Sequence, residues 1–377
     1  MRKISANIEP GCTSDVHRVV ELEHLAAVWE PELRFLVLAQ TSEDQRRVVG
    51  LRSAGLSNVA WLAGAGLQDG DIVVPRGAKS ELIVLLRRSD AHHALFMTNR
   101  CNSYCLMCSQ PPTKEDDSWL IEEALQAIRH LDWAPRVIGL TGGEPLLLRH
   151  GLRQILDEVG RRFPETVVEV LTNGRMFSDR AVVKEILTGL HTLVRWLVPL
   201  YGHANFLHDF VVQSPGAFDE TIAGLLALQE YGQTVQLRSV LIPSVLENLL
   251  ELSNFVVRNL PFVREWALMG CEPIGFALAN REQCEVDLTA WAPALEQTSR
   301  TLRTYGVRHV LMNTPLCSLP QSLWPWAHKS ISDWKNVYAQ ECDGCSVRKD
   351  CVGLFAWHER GWTPAPLKRI ETSEVSL

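Results

Sequence analysis

The chain has no uninterrupted apolar stretch near the ~18 residues a membrane helix needs, which excludes a hydrophobic membrane span. Its first residues, Met1-Arg-Lys-Ile-Ser-Ala-Asn-Ile-Glu-Pro10, lack the apolar core of a signal peptide. Together these absences lead us to expect a cytoplasmic protein with no membrane partner. There is no long Lys/Arg run, and the net charge is −7, so no nucleic-acid partner is expected either. Internal repeats and low-complexity segments are absent. At 46% hydrophobic and 21% charged residues, the composition suits a large core rather than a disordered chain. The 377 residues suffice for one α/β barrel with appendages.

Cysteine is plentiful, with ten in the chain. In a reducing compartment, clustered cysteines more often bind metal or do redox chemistry than form disulfides. Seven fall in two groups: Cys101, Cys105 and Cys108, then Cys317, Cys342, Cys345 and Cys351. Cys12, Cys271 and Cys284 are scattered and read as small buried hydrophobes.

Residues 1–90 read as a small β-rich or α+β domain. Strand candidates are Leu33–Ala39, Ile72–Val74 and Glu81–Arg87, with a turn at Gln68-Asp-Gly-Asp71. Its role is either docking or a structural cap. From 91 to 280, strand and helix patterns alternate. Ser118 can cap a helix whose apolar face is Leu120, Ile121, Ala124, Leu125, Ile128 and Leu131. About six β-α units fit before residue 270, too few for an eight-stranded barrel. The expected fold class is therefore α/β, as a partial (β/α)6 barrel. Residues 281–377 break the pattern. A helix at Leu288–Arg303 and a strand at Gly306–Leu311 lead into a stretch rich in Trp, Pro and Cys, which a metal centre would order.

The triplet Cys101-Asn-Ser-Tyr-Cys105-Leu-Met-Cys108 follows the apolar run Ala94–Met97, a strand end. Loops at strand carboxyl ends carry the chemistry of β/α barrels. Three thiolates can hold three irons of a [4Fe–4S] cluster and leave the fourth open. A zinc site is the alternative, but structural zinc takes four ligands and no fourth lies near. One strand later comes Thr141-Gly142-Gly143-Glu144-Pro145. Its glycines let backbone approach a ligand closely, and Glu144 offers an acceptor for an amine. Cys342-Asp-Gly-Cys345-x5-Cys351, with Cys317 upstream, can close a second cluster or a four-cysteine zinc site. Trp324, Trp326, Trp334, Trp357 and Trp362 surround it and either pack the extension or shield a cluster. Tyr201-Gly-His203, with His208-Asp209, falls after the fourth strand. His203, His208 and Asp209 are candidates for positioning substrate or moving a proton, against a default of exposed loop residues.

The cysteine triplet and the glycine turn together resemble the radical S-adenosylmethionine (SAM) superfamily. The resemblance implies that Cys101, Cys105 and Cys108 bind a [4Fe–4S] cluster whose open iron chelates SAM. It implies that Gly142, Gly143, Glu144 and Pro145 line the methionine moiety, and that Asn173 contacts SAM. Arg238 is a candidate for the SAM carboxylate, or for a structural ion pair. Met107 would pack on adenine, where the family usually has an aromatic. Pro199-Leu-Tyr-Gly202 stands where many relatives place a Ser or Asp for the ribose. The C-x2-C-x5-C group resembles the SPASM or twitch extension, with four cysteines for one auxiliary [4Fe–4S] cluster. Taken whole, the chain is similar to the His-Xaa-Ser system radical SAM maturases of the C type. Asn99–Pro112 and Ser332-Asp-Trp-Lys-Asn336 with Cys342–Cys345 carry that likeness. It implies an enzyme that cleaves SAM to a 5′-deoxyadenosyl radical and modifies a ribosomally made peptide precursor. It also implies a companion radical SAM maturase and a flavodoxin- or ferredoxin-type reductant. The alternatives are a radical SAM enzyme acting on a small molecule, or a catalytically silent metal-binding partner.

Overall fold

The computed structural model describes residues 2–76, 81–329, 336–356, 362 and 367–371. Ser332–Lys335, including Trp334, and Trp357 lie outside the described residues.

The amino-terminal region contains β1 (Arg2–Ser5), β2 (Asn7–Ile8), β3 (His17–Glu21), α1 (Leu25–Val28), β4 (Phe35–Leu38), α2 (Ser42–Ser53), β5 (Val59–Ala63), β6 (Ile72–Pro75) and β7 (Glu81–Leu86). Its seven strands run in the order β1-β7-β6-β3-β4-β5-β2. β1 pairs antiparallel with β7 at one edge, and β2 pairs with β5 at the other. The two edge strands are separated only by Ala6, so the first residues wrap the sheet from edge to edge and leave little open ladder. Alternation along the strands divides the side chains between two cores. Val19, Leu36, Leu62 and Leu82 fill one, while Val20, Phe35, Val37 and Val59 pack with Val48 of α2 in the other. Sequence reading located β4, β6 and β7 but not α2, whose exposed face is highly charged. Thr41 caps α2, accepting from Asp44 N at 3.1 Å.

The second sheet is wholly parallel, curled and eight-stranded: β15-β14-β13-β12-β11-β10-β9-β8. Its first part alternates β8 (His93–Phe96), α3 (Trp119–Arg129), β9 (Val137–Thr141), α4 (His150–Arg162), β10 (Val167–Leu171) and α5 (Arg180–Leu187). Then follow β11 (Leu193–Pro199), α6 (Asn205–Val212), α7 (Ala217–Glu230), β12 (Thr234–Leu241), α8 (Pro243–Leu246), α9 (Leu249–Asn259) and β13 (Glu265–Gly270). After α10 (Phe276–Ala279), α11 (Arg281–Cys284) and α12 (Ala292–Thr304), the sheet ends with β14 (Arg308–Met312) and β15 (Ala327–His328). The six expected units are present, and β14 and β15 add two strands from the region beyond residue 280. β14 continues β13 in parallel register. A final pair, β16 (Asn336–Val337) and β17 (Leu354–Phe355), belongs to the cysteine-rich end.

The outward faces of the parallel strands meet the helices in one large core, where Trp196 and Trp266 are fully buried. The Trp266 indole N–H donates to Ser239 Oγ at 3.0 Å, so this buried donor is satisfied. α3 buries Leu120, Ala124, Leu125 and Ile128 as its periodicity requires. Ser118 makes no side-chain cap; its own N–H donates to Asp116 Oδ1 at 3.1 Å. The two sheets are joined by Arg18 to Asp132 at 2.5 Å and by Arg34 N to His130 Nε2 at 3.0 Å. No helix among the described residues is long and apolar enough to cross a membrane.

Candidate active site at the barrel mouth

The cysteine loop leaves β8 at the carboxyl end of the parallel sheet and is tied down from several sides. Asp117, buried beneath its start, accepts from Thr98 Oγ1 at 3.0 Å and from Asn99 N. Tyr104 N and Leu106 N donate to Val212 O and Val211 O at 3.0 and 2.9 Å, which docks the loop on α6. Arg175 reaches in from the turn after β10. Its Nη1 donates to Asn102 O at 2.5 Å and to Ser103 Oγ and Ser214 Oγ at 2.9 Å, while its Nε donates to Glu220 Oε2 at 2.6 Å. From the other side, Asn280 Nδ2 donates to Leu106 O at 2.9 Å and Phe276 N to Cys108 O at 2.8 Å. Gly275 permits that approach: its φ is +63°, and a Cβ there would lie 2.5 Å from Cys108 O.

Cys101, Cys105 and Cys108 are free thiols gathered in this loop. Burial pushes the Cys101 thiol up to about 11, with the Glu144 carboxylate adding to the effect. Burial raises Cys105 further, and then the charges of Cys108 and Cys101 do so. Three thiolates so placed repel one another in a poorly hydrated pocket, and a cationic centre is what would hold them ionised. A single tetrahedral zinc requires sulfurs about 3.8 Å apart, from Zn–S bonds of about 2.3 Å. Among the described residues, Glu21, Glu23 and His24 are the only three ligating groups within 4.8 Å of one another.

The glycine turn lies directly against this loop. A Cβ on Gly142 would stand 2.5 Å from Thr98 O, and one on Gly143 would run into Arg100 O. Gly143 N donates to Thr98 O at 2.6 Å and Glu144 N to Arg100 O at 2.8 Å. These glycines admit the backbone of the cysteine loop at close range. Glu144 is fully buried and caps the short helix opened by Pro145. Its carboxylate accepts from Leu146 N at 2.9 Å, Thr172 Oγ1 at 2.6 Å and Asn173 N at 2.6 Å. Three of its roughly four lone-pair directions thus serve the chain itself. Burial pushes its pKa up to about 7 against the lowering effect of those bonds. Asn173 in turn donates from Nδ2 to Asn102 Oδ1 at 2.6 Å, linking the third strand end to the cysteine loop.

Parallel register sets the level of the remaining candidates. Leu171 stands beside Leu197, and Pro199 beside Arg238 and then Ala267, so Asn173, Pro199, Arg238 and Ala267 share one level at the mouth. Below it, Arg195 pairs with Glu169 at 2.9 Å, Gln236 bonds Glu265, and Glu265 pairs with Arg308 at 3.5 Å. These charges close the amino end of the barrel. Arg238 donates from Nε to Gln236 Oε1 at 3.0 Å, and its Nη groups have no partner among the described residues. The ion pair that sequence reading allowed for Arg238 does not form there.

His208 and Asp209 are not on an exposed loop. They lie in α6, which sequence reading missed. His208 is buried; its Nδ1 accepts from Tyr201 N at 3.2 Å and its ring stacks on Tyr201 at 5.8 Å. Burial lowers its pKa to about 4. Asp209 accepts from Gly216 N at 2.6 Å and Phe218 N at 2.8 Å, which anchors the start of α7. Both side chains are thus engaged in structure. His203 is half-buried, and its Nδ1 has no partner among the described residues. Tyr201 is 7% exposed, and its hydroxyl makes no hydrogen bond among the described residues. It belongs to an apolar cluster at the mouth with Leu106, Met107, Ile242, Cys271, Cys284 and Trp362, against which Cys105 packs.

Arg175 and Asn102 are the residues of this site that sequence reading missed. Their only signal was Arg175 following the Asn173-Gly174 turn, which is weak without the fold.

Cys317, Cys342, Cys345 and Cys351 wall one cavity at the carboxyl end, with Val347, Leu354 and Lys368. Leu316 N and Gly353 N each donate to Cys351 Sγ at 3.4 Å. Arg348 lies over Tyr338 beside the cavity, and Arg369 lies against Gly344 in the Cys342–Cys345 turn. Trp324 donates to Leu316 O at 3.0 Å and packs on the barrel core with Trp326. Trp362 packs at the other cysteine site. Of the scattered cysteines, Cys271 and Cys284 are buried as expected, while half-buried Cys12 lies 3.6 Å from His17 Nε2.

A three-cysteine loop thus lies at the mouth of a curled parallel sheet, braced by a glycine turn. Residues 95–256 match the model of the Radical SAM superfamily. The chain is 31% identical over 172 residues to a probable GTP 3′,8-cyclase of Methanocella arvoryzae, covering 44% of this chain and 53% of that protein. It is 31% identical over 112 residues to a GTP 3′,8-cyclase of Paenarthrobacter nicotinovorans, covering 26% of this chain and 30% of that one. The chain thus spans about half, or less, of the curated relatives it matches. Among solved structures it is similar to Streptococcus suis SuiB bound to S-adenosylmethionine, at TM-score 0.46 and 14% identity, covering 58% of this chain and 49% of that one. A radical SAM methyltransferase from Sphaerobacter thermophilus aligns at TM-score 0.43 and 17% identity, covering 66% and 74%.

Proposed function

We propose that this radical SAM enzyme modifies a ribosomally made peptide precursor of the His-Xaa-Ser type, working beside a companion radical SAM maturase. The observation that carries the reading is the second cysteine site: four thiols around one cavity, in an extension that continues from the last strands of the barrel. That arrangement resembles the auxiliary-cluster extensions of peptide-modifying radical SAM enzymes.

Cys101, Cys105 and Cys108 would hold the [4Fe–4S] cluster with one iron left for SAM, and the four carboxyl-terminal cysteines an auxiliary [4Fe–4S] cluster. With one electron from a flavodoxin or ferredoxin, the bound cluster and SAM supply a 5′-deoxyadenosyl radical, which removes hydrogen from an unreactive C–H bond. The protein's own part is placement and exclusion of water. The turn Gly142–Pro145 and Asn173 bound the methionyl end, and the Nη groups of Arg238 donate to its carboxylate. Glu144 holds the third strand end in place from below. Met107 and the apolar cluster around Tyr201 keep water from the radical.

Incubating a His-Xaa-Ser precursor with the anaerobically reconstituted enzyme, its companion, SAM and reductant is expected to change the peptide's mass. SAM cleavage with an unaltered peptide would sink the peptide reading. The likeness to GTP 3′,8-cyclases favours a second reading, a purine nucleotide substrate. The same assay with GTP tests it: a GTP-derived product and an unmodified peptide would establish it in place of the first.

A further inference from the structure

Trp362 belongs in sequence to the cysteine-rich end, yet it packs elsewhere. The chain before it is held at the four-cysteine cavity. Gly353 N donates to Cys351 Sγ at 3.4 Å, Tyr338 Oη donates to Cys351 O at 2.9 Å, and β17 pairs with β16. The chain after it returns to the same cavity. Lys368 and Ile370 line it, the Lys368 backbone bonds the Cys317 thiol, and Ser346 donates to Ile370 O from N at 3.0 Å and from Oγ at 2.9 Å. Between these anchors Trp362 is 3% exposed. It belongs to the apolar cluster that includes Leu106, Met107 and Tyr201, against which Cys105 also packs.

We infer that Trp362 is a positioning residue for SAM at the three-cysteine loop, seated there by the four-cysteine site that holds the chain on both sides of it. The inference deepens the proposed function and rests on its reading of the four-cysteine site as metal-loaded. The physical reason is the poverty of the extension's own core. The described part of 336–371 has two two-residue strands and few buried apolar side chains, so a metal centre is what would order it. Once ordered, it adds a large rigid indole to the cluster that holds Met107, a thin and flexible side chain. The indole fixes the loop segment Leu106–Met107, which precedes the third cysteine.

The test uses the full chain, reconstituted anaerobically, with three readouts: iron content, SAM affinity by equilibrium dialysis, and the change in the reduced cluster's EPR spectrum on adding SAM. Trp362→Ala is expected to keep about eight irons, lose SAM affinity about tenfold, and show a diminished EPR change. Trp362→Phe should recover affinity to within about threefold of wild type. Cys317→Ala should hold about four irons and reproduce the tenfold loss, and the double variant should be no worse than either single one. Wild-type SAM affinity in Trp362→Ala, or additive losses in the double variant, overturns the inference. Failure of the underlying reading looks different. A wild-type protein with only about four irons removes the metal-loaded second site and the coupling with it. Trp362→Ala then decides the positioning role alone.

Discussion

Arg238 carries its charge into the barrel with only Nε bonded, and it sits at the level of Asn173 and Pro199. A guanidinium so placed suits a carboxylate, and a charge-assisted bond of this kind contributes about 1.5–3 kcal/mol. Arg238→Met is therefore expected to weaken SAM binding roughly 10- to 100-fold with iron content unchanged. An unaltered dissociation constant would remove Arg238 from the SAM site. His208 makes the opposite point. It looks like a catalytic histidine in sequence, but burial holds it neutral with a pKa of about 4. A histidine depressed in the fold contributes stability that is complete above its unfolded value near 6.5 and is lost as pH falls towards 4. The shift corresponds to about 3 kcal/mol. Urea midpoints of the wild type should fall across this window. In His208→Asn the fall should be shallower, and equal slopes would refute the assignment.

The turn after β9 and the loop after β8 act as one element. Their contact depends on two positions without side chains, Gly142 and Gly143, and on the bonds from Gly143 N and Glu144 N. Gly143→Ala forces a Cβ into the Arg100 carbonyl, so the loop must shift. The expected loss is about 1–3 kcal/mol in unfolding free energy, together with poorer iron retention at the three-cysteine site. Full iron retention with wild-type stability would show that the contact is dispensable. Part of this element pattern was legible in sequence: α3 forms at Trp119–Arg129 and buries Leu120, Ala124, Leu125 and Ile128 of the expected apolar face, because a strong apolar period over several turns survives any tertiary context. α6 was not legible. It is short, Phe206 and Phe210 stand exposed on it, and its buried side depends on the cysteine loop docking against its end.

Across the whole molecule, two cysteine sites are joined by one chain. With both loaded, about eight irons per chain are expected, and Cys342→Ala should leave about four. Tightly bound zinc at the four-cysteine cavity, with iron only at the first site, would refute the auxiliary [4Fe–4S] cluster.

Spacing by itself determined the three-cysteine loop, the glycine turn and the alternation of strand and helix. Those features are local: three thiols within eight residues and two adjacent glycines can be read without knowing what they touch. Only the tertiary structure decided that Glu144 turns its carboxylate inward, that Arg175 clamps the cysteine loop, and that Trp362 leaves its own segment to join the cluster that holds Met107. Each of these joins residues far apart in the chain. Such contacts follow from strand register and packing, which no short stretch of sequence encodes.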